Sequence, residues 1–278
     1  MSPFGLAWSN LIHKRTRTAV AVAGVLFAVI LIFMELGMFG GVERTATSLF
    51  DGFRFDLILS SSEYNDIGRP GDVPRIRLAQ AGAADGVADV LPVSIATGAW
   101  QRPARHGWLG TTPPGSVGSI GMIGVPPARL GDIFAVDRGR VFPNRARAAR
   151  AGEALARRGT ILFDIRSKPD FGSLRDLEGV PEQGTPHADP SHPDIRNMIR
   201  LNDRRVDVVG GFALGSGFAW NGMLMTSEET FAEYSGFRND RVTFGLVTLK
   251  PGANRAATQR QLQEILPRDV REIGRAHV

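Results

Sequence analysis

Residues 13–43 read HKRTRTAVAVAGVLFAVILIFMELGMFGGVE, and no other stretch limits the fold so severely. From Ala19 to Met34 every residue is apolar or glycine, and after Glu35 the run resumes through Gly41. A bilayer core of roughly 30 Å takes about 20 apolar residues in helix. Ala19 to Phe39 meets that length with one charge, Glu35. A cleaved export signal would have an apolar core of roughly 7–15 residues and then a small-x-small site. Gly37-Met38-Phe39-Gly40-Gly41 offers no clean site of that kind. The reading is a transmembrane helix over residues 18–41.

Charge sets its direction. His13, Lys14, Arg15 and Arg17 precede the run, whereas Glu43 and Arg44 follow it. The positive-inside bias therefore puts residues 1–17 in the cytoplasm and the bulk of the chain outside. Within residues 1–17, Phe4, Leu6, Trp8, Leu11 and Ile12 alternate with polar positions, the pattern of an amphipathic lead-in lying in the headgroup layer. Glu35 falls about 25 Å along the helix at 1.5 Å per residue, near the outer interface, where its carboxylate reaches water. Gly24 and Ala28 form a small-xxx-small pair suited to close packing between membrane helices. Gly24, Ala28 and Glu35 are the candidate site residues, for helix packing between protomers.

The remaining chain must fold in water, and it is long enough for one or two compact domains. It contains no cysteine, so disulfides, thiol chemistry and zinc-thiolate sites are excluded. The net charge of the whole chain, +5, comes largely from arginine, and RGRVFPNRARAARAGEALARRG crowds Arg138, Arg140, Arg145, Arg147, Arg150, Arg157 and Arg158 against one Glu153. A basic patch can serve nucleic acid or anionic lipid. This one lacks the aromatics that stack on single strands, and the topology puts nucleic acid across the membrane. The stretch reads best as a solvated helix ending at Gly159.

Strands are expected in FDLILSS, VADVLPVSIATGAW (interrupted at Pro92), SIGMIGVPP, GTILFDI, RRVDVVGGFAL, NGMLM and RVTFGLVTLK. Helices are expected in VERTATSLFDG, RIRLAQAGAADGV, the arginine-rich stretch, SEETFAEYSG with Thr226 or Ser227 as N-cap, and ANRAATQRQLQEIL, which Pro267 stops. Residues 169–197 form a long loop rich in proline and glycine. No regular βαβ beat recurs, so the fold class is α+β rather than a doubly wound sheet.

Chemistry-bearing motifs are few. There is no G-x-x-x-x-G-K-[ST], and no G-x-G-x-x-G between a strand and a helix. GFALGSGFAWNG is glycine-rich but does not open a helix. His187, Asp189, His192 and Asp194 crowd one proline-broken loop, without the fixed spacing a metal site needs. Ser216 sits in G-S-G rather than G-x-S-x-G, and nothing marks His106 as its base. The residues thus favour binding or mechanical work, with no cofactor.

Several stretches together resemble the DevC-type permeases of the MacB/FtsX superfamily, subunits of ABC exporters. They are LAWSNLIHKRTRTAVAVAGVLFAVILIFMELG, FDLILSSS, VLPVSIATGAW, TILFDIRSKPDFG, VDVVGGFALGSGFAWNGMLMTSEETFAEY and FGLVTLKPGANRAATQRQLQEILPRDV, in order along nearly the whole chain. The resemblance implies a transmembrane helix followed by a MacB-like extracytoplasmic domain over residues 42–270, in the bacterial inner membrane. It implies a homodimer driven by a separate cytoplasmic ABC ATPase, with a membrane-fusion adaptor on the outer domain. The permease itself is then no enzyme, and the cargo is lipid-like or amphiphilic. The family continues into three further membrane helices where this chain reaches Val278. The ending IGRAHV resembles translated adapter sequence, so residues 271–278 are expected to be a non-native tail. The loop around His187 and His192 looks longer than the family pattern. A single-pass anchored enzyme, or an anchored binding or sensor module, is the alternative.

Overall fold

The computed structural model describes residues 15–101, 105–107, 110–112, 117–136, 141–174, 177, 199–215 and 220–274. Residues 1–14 of the amphipathic lead-in, the histidine-bearing loop and Ser216 lie outside these residues. The chain divides into two units, Met1–Thr45 and Ala46–Val278.

Helix α1 (Arg15–Gly52) contains the apolar run and ends at the glycine expected to break it. The second unit is a mixed α+β fold. Its sheet is built from β1 (Leu57–Ser61), β3 (Val87–Gln101), β6 (Val117–Val125), β7 (Thr160–Asp164), β10 (Asp207–Phe212), β11 (Met223–Ser227), β13 (Phe244–Leu249) and β14 (Val270–Gly274). Their order is β10-β7-β11-β6-β3-β13-β1-β14. The short strands β8 (Arg200–Leu201) and β9 (Arg204–Arg205) pair off the end of β3. Pairs β10/β7 and β11/β6 run parallel and the other pairs of this path are antiparallel. Small two-stranded pairs, β2 (Val73–Pro74) with β12 (Arg241–Val242) and β4 (Arg105–Gly107) with β5 (Gly110–Thr112), complete the set.

Both faces of the sheet are covered, which explains why β1, β7 and β11 are buried along their whole length. Successive side chains point to opposite faces. Ile58, Val93, Ile123, Leu162, Met225 and Leu246 enter one apolar cluster. Leu57, Leu59 and Val247 enter a second, whereas Met122, Ile161, Phe163 and Leu224 enter a third. The first cluster is closed by Leu49 and Phe50 of the last turns of α1, by Phe53, by Leu130 and Ile133 of α3 (Leu130–Ile133), and by Ala148 and Leu155 of α4 (Arg145–Leu155). Leu78 of α2 (Arg75–Gly82) and Leu262 of α6 (Arg255–Ile265) close the second. Phe231 of α5 (Glu228–Ser235) closes the third.

The helices begin where the sequence marks them. The Asn144, Ser227 and Asn254 side chains accept from the backbone N–H of Arg147, Thr230 and Ala257, satisfying otherwise unpaired first-turn donors. Gly236 ends α5 in the left-handed region at φ 70°.

Two expectations change. Strand β3 is not interrupted at Pro92, which pairs with Gly245 of β13. The ladder from β3 to β6 begins only at Ser94, so the missing proline N–H forfeits no bond on that side. Helix α4 stops at Leu155 rather than Gly159; Ala156 caps it, and Gly159 turns the chain at φ 73°. Residues Arg271–Gly274, assigned above to the tail, continue β14 against β1.

Candidate functional site

The exposed apolar surface of α1 is the feature that water cannot tolerate. Thr16–Phe39, 24 residues, has a mean hydropathy of 2.7, and none of it is buried. At 1.5 Å per residue the span is about 36 Å long, more than the hydrocarbon core requires. Phe27, Phe33, Met34, Met38 and Phe39 are each about two-thirds exposed or more. A contiguous patch of this size is matched by lipid or by another apolar surface.

Gly24, Ala28 and Glu35 all lie on this exposed span. A side chain added at Gly24 would meet nothing within 4 Å. Among the described residues nothing covers these three positions. Glu35 is exposed and lies four residues before Phe39 at the far end of the span.

In the folded unit the one charged side chain that is buried among the described residues is Asp164, at the end of β7. Sequence reading passed over it as one carboxylate inside the apolar strand GTILFDI. Its Oδ1 accepts from the backbone N–H of Arg166 at 3.0 Å and of Leu214 at 3.1 Å, and its Oδ2 from that of Gly215 at 2.7 Å. Burial pushes its pKa up from the ordinary carboxylate value; the three backbone donors and the Arg166 charge pull it part of the way back. Asp164 therefore ties the turn after β7 to the segment after β10. Nearby, Lys168 N–H donates to the Asn221 carbonyl and Met223 N–H to Ser167 Oγ, binding the same turn to the start of β11. This is a structural clasp.

A groove of about 800 Å³ runs between α4, α3 and the first turn of α5, floored by Ala148, Ala149 and Gly152. Gly152 is needed there, because a Cβ would stand 2.2 Å from the Pro127 carbonyl oxygen. The groove's carboxylates are largely matched. Asp132 pairs with Arg129 and Arg145, Glu228 with Arg75, and Glu229 with Arg158. The hydrogen bond from Arg129 holds the Asp132 carboxyl below its ordinary value.

Among the described residues no three of His, Asp and Glu gather as a metal site would require. His106 falls in β4.

No family model matches this sequence, and no curated protein matches it. Solved structures do. The fold resembles known extracytoplasmic domains. One is the periplasmic region of MacB from Actinobacillus actinomycetemcomitans, at a TM-score of 0.49 and 10% identity, over 81% of this chain and 91% of that one. Another is the extracellular domain of the noncanonic ABC-type transporter YknZ from Gram-positive bacteria, at 0.44 and 11%, over 79% and 99%. At this distance the likeness is one of fold only.

Proposed function

We propose that this chain is the anchor helix and extracytoplasmic domain of an ABC-type exporter permease in the bacterial inner membrane, with its N-terminus in the cytoplasm. In this reading a separate cytoplasmic ATPase drives the permease and two permease copies act together. A membrane-fusion adaptor docks outside, and the cargo is lipid-like or amphiphilic. The domain transmits motion and performs no chemistry of its own.

One observation carries the reading. The helix that offers lipid a wholly exposed apolar span also supplies Leu49 and Phe50 to the core of a mixed-sheet unit. Burying each such side chain contributes roughly 1.5–3 kcal/mol, so the final turns of the helix belong to the domain they serve. The ordered sequence resemblance supports the same reading.

The test is extraction and topology. The chain should resist alkaline carbonate in membranes, and its domain should be digested in right-side-out vesicles and protected in inverted ones. The intact permease should co-purify with an ATPase subunit. Release by carbonate, or digestion from the cytoplasmic face, would overturn the assignment.

A further inference from the structure

Of the asparagines in this chain, one precedes a glycine: Asn221, in the stretch Trp220-Asn221-Gly222-Met223 at the entry to β11. An asparagine carboxamide is open to attack by the backbone nitrogen of the following residue, and a side chain on that residue obstructs the approach. Glycine has none. The fold explains why glycine stands there. A Cβ at position 222 would lie 2.9 Å from the Phe171 ring, and Phe171 is buried in the third apolar cluster. Packing thus requires the residue that makes the pair labile.

The groups that would react are unengaged. Asn221 is exposed, and its carboxamide makes no hydrogen bond among the described residues; the Gly222 N–H has no partner among them either. The carbonyls on either side are held. That of Asn221 accepts from the Lys168 N–H at 2.8 Å, and that of Gly222 from the Gly121 N–H at 2.9 Å. Just beyond them, the Met223 N–H donates to Ser167 Oγ at 3.2 Å. These bonds limit the rotation that brings the Gly222 nitrogen onto the side chain, so the reaction waits on local opening of this entry.

We propose that Asn221 is a site of spontaneous deamidation and that its product loosens the start of β11. The Gly222 nitrogen bonds to Asn221 Cγ, the Cγ–Nδ2 bond breaks, and the Gly222 proton leaves with the amide nitrogen as ammonia. Water then adds to a carbonyl carbon of the resulting succinimide, breaking that carbon's bond to nitrogen and returning a proton to the nitrogen. Opening at Cγ gives aspartate. Opening at the main-chain carbon gives isoaspartate, in which the backbone runs through the former side chain and is longer by a methylene. The spacing between the acceptors for the Lys168 and Gly121 N–H groups is then lost.

The test is incubation of the folded full chain in detergent at mildly alkaline pH, followed by peptide mass spectrometry. The peptide holding Asn221 should pass from amide to acid with ammonia released in step, and should accept a methyl group from an isoaspartyl methyltransferase. Peptides holding Asn144 and Asn254, whose side chains cap helices, should stay unchanged. Asn221→Gln should abolish the conversion, because its longer side chain closes a larger and slower ring; an unchanged urea midpoint shows that it folds. Ser167→Ala, which frees the Met223 N–H, should speed the conversion about fivefold, the worth of one hydrogen bond in the opening equilibrium. The isoaspartyl chain should unfold at lower urea than Asn221→Asp, which carries the same charge on an unaltered backbone. A folded chain that keeps its amide while the urea-unfolded chain converts would overturn the proposal. So would acid without isoaspartate, a rate indifferent to Ser167→Ala, or equal midpoints for the isoaspartyl and Asn221→Asp chains.

Discussion

Truncating Asp164 to alanine removes an acceptor that three backbone donors share. The Leu214 N–H is buried, whereas those of Arg166 and Gly215 are partly so. A buried donor left without a partner costs about 1–3 kcal/mol. The two partly buried donors recover some of that from water, and removing a desolvated carboxylate returns more. The net expected loss is about 3 kcal/mol, against a total of roughly 5–15 kcal/mol for a typical domain. With a urea slope near 3 kcal/mol/M, the midpoint should fall by about 1 M, measured by circular dichroism on the detergent-solubilised chain. Asp164→Asn should cost less, since its carbonyl still serves Arg166 and Leu214 while its amide opposes the Gly215 N–H. The acid dependence has a definite sign. Because burial raises the folded-state pKa, the folded chain holds this proton more tightly than the unfolded chain does. The associated stability is complete below the unfolded aspartate pKa and is lost as pH rises through the folded value. Wild type should therefore gain on Asp164→Asn as pH falls toward that range. An alanine variant within about 0.5 kcal/mol of wild type would refute the clasp, and a gap that narrows on acidification would refute the direction of the shift.

Gly152→Ala should destabilise by about 2–3 kcal/mol in the same urea assay, because a backbone carbonyl cannot give way as a side chain can. Gly124→Ala should cost about 1–3 kcal/mol, with the new methyl 2.5 Å from the Phe231 ring. Asn144→Ala and Ser227→Ala each remove a helix cap, and each should cost about 1 kcal/mol; additivity of the double variant would show the two helices to be independent. Gly24→Leu in the intact permease should reduce both dimer crosslinking and export of an amphiphilic dye. Unchanged crosslinking would remove Gly24 from the packing face.

Much of this architecture can be read from local patterns. The long apolar run, the buried five-residue strands and the asparagine and serine caps each depend on residues close together in sequence. Pairing order does not. Nothing local puts β7 between β10 and β11, or makes β10/β7 and β11/β6 parallel, because those partners are chosen by which faces the helices cover. Pro92 misleads for a related reason: proline disrupts a strand only where a neighbour needs its N–H, and that neighbour is remote in sequence. Asp164 was the largest omission. The only local signal is one carboxylate inside the run GTILFDI, and its three donors become visible only when residues 214 and 215 fold back onto it. The arginine stretch was visible as composition; that Arg147, Arg150 and Arg157 stay unmatched while Arg145 and Arg158 find carboxylates depends on where α3 and α5 sit.

Leu57 and Gly274 are directly opposite each other in the sheet, at the same end of two antiparallel strands. A pull that separated them would open the β1–β14 ladder like a zipper, one hydrogen bond at a time, the geometry of least resistance. The backbone that enters the sheet at Leu57 and the backbone that leaves it at Gly274 therefore share one end of the ladder, where a shear along the strands would instead load all of its bonds together.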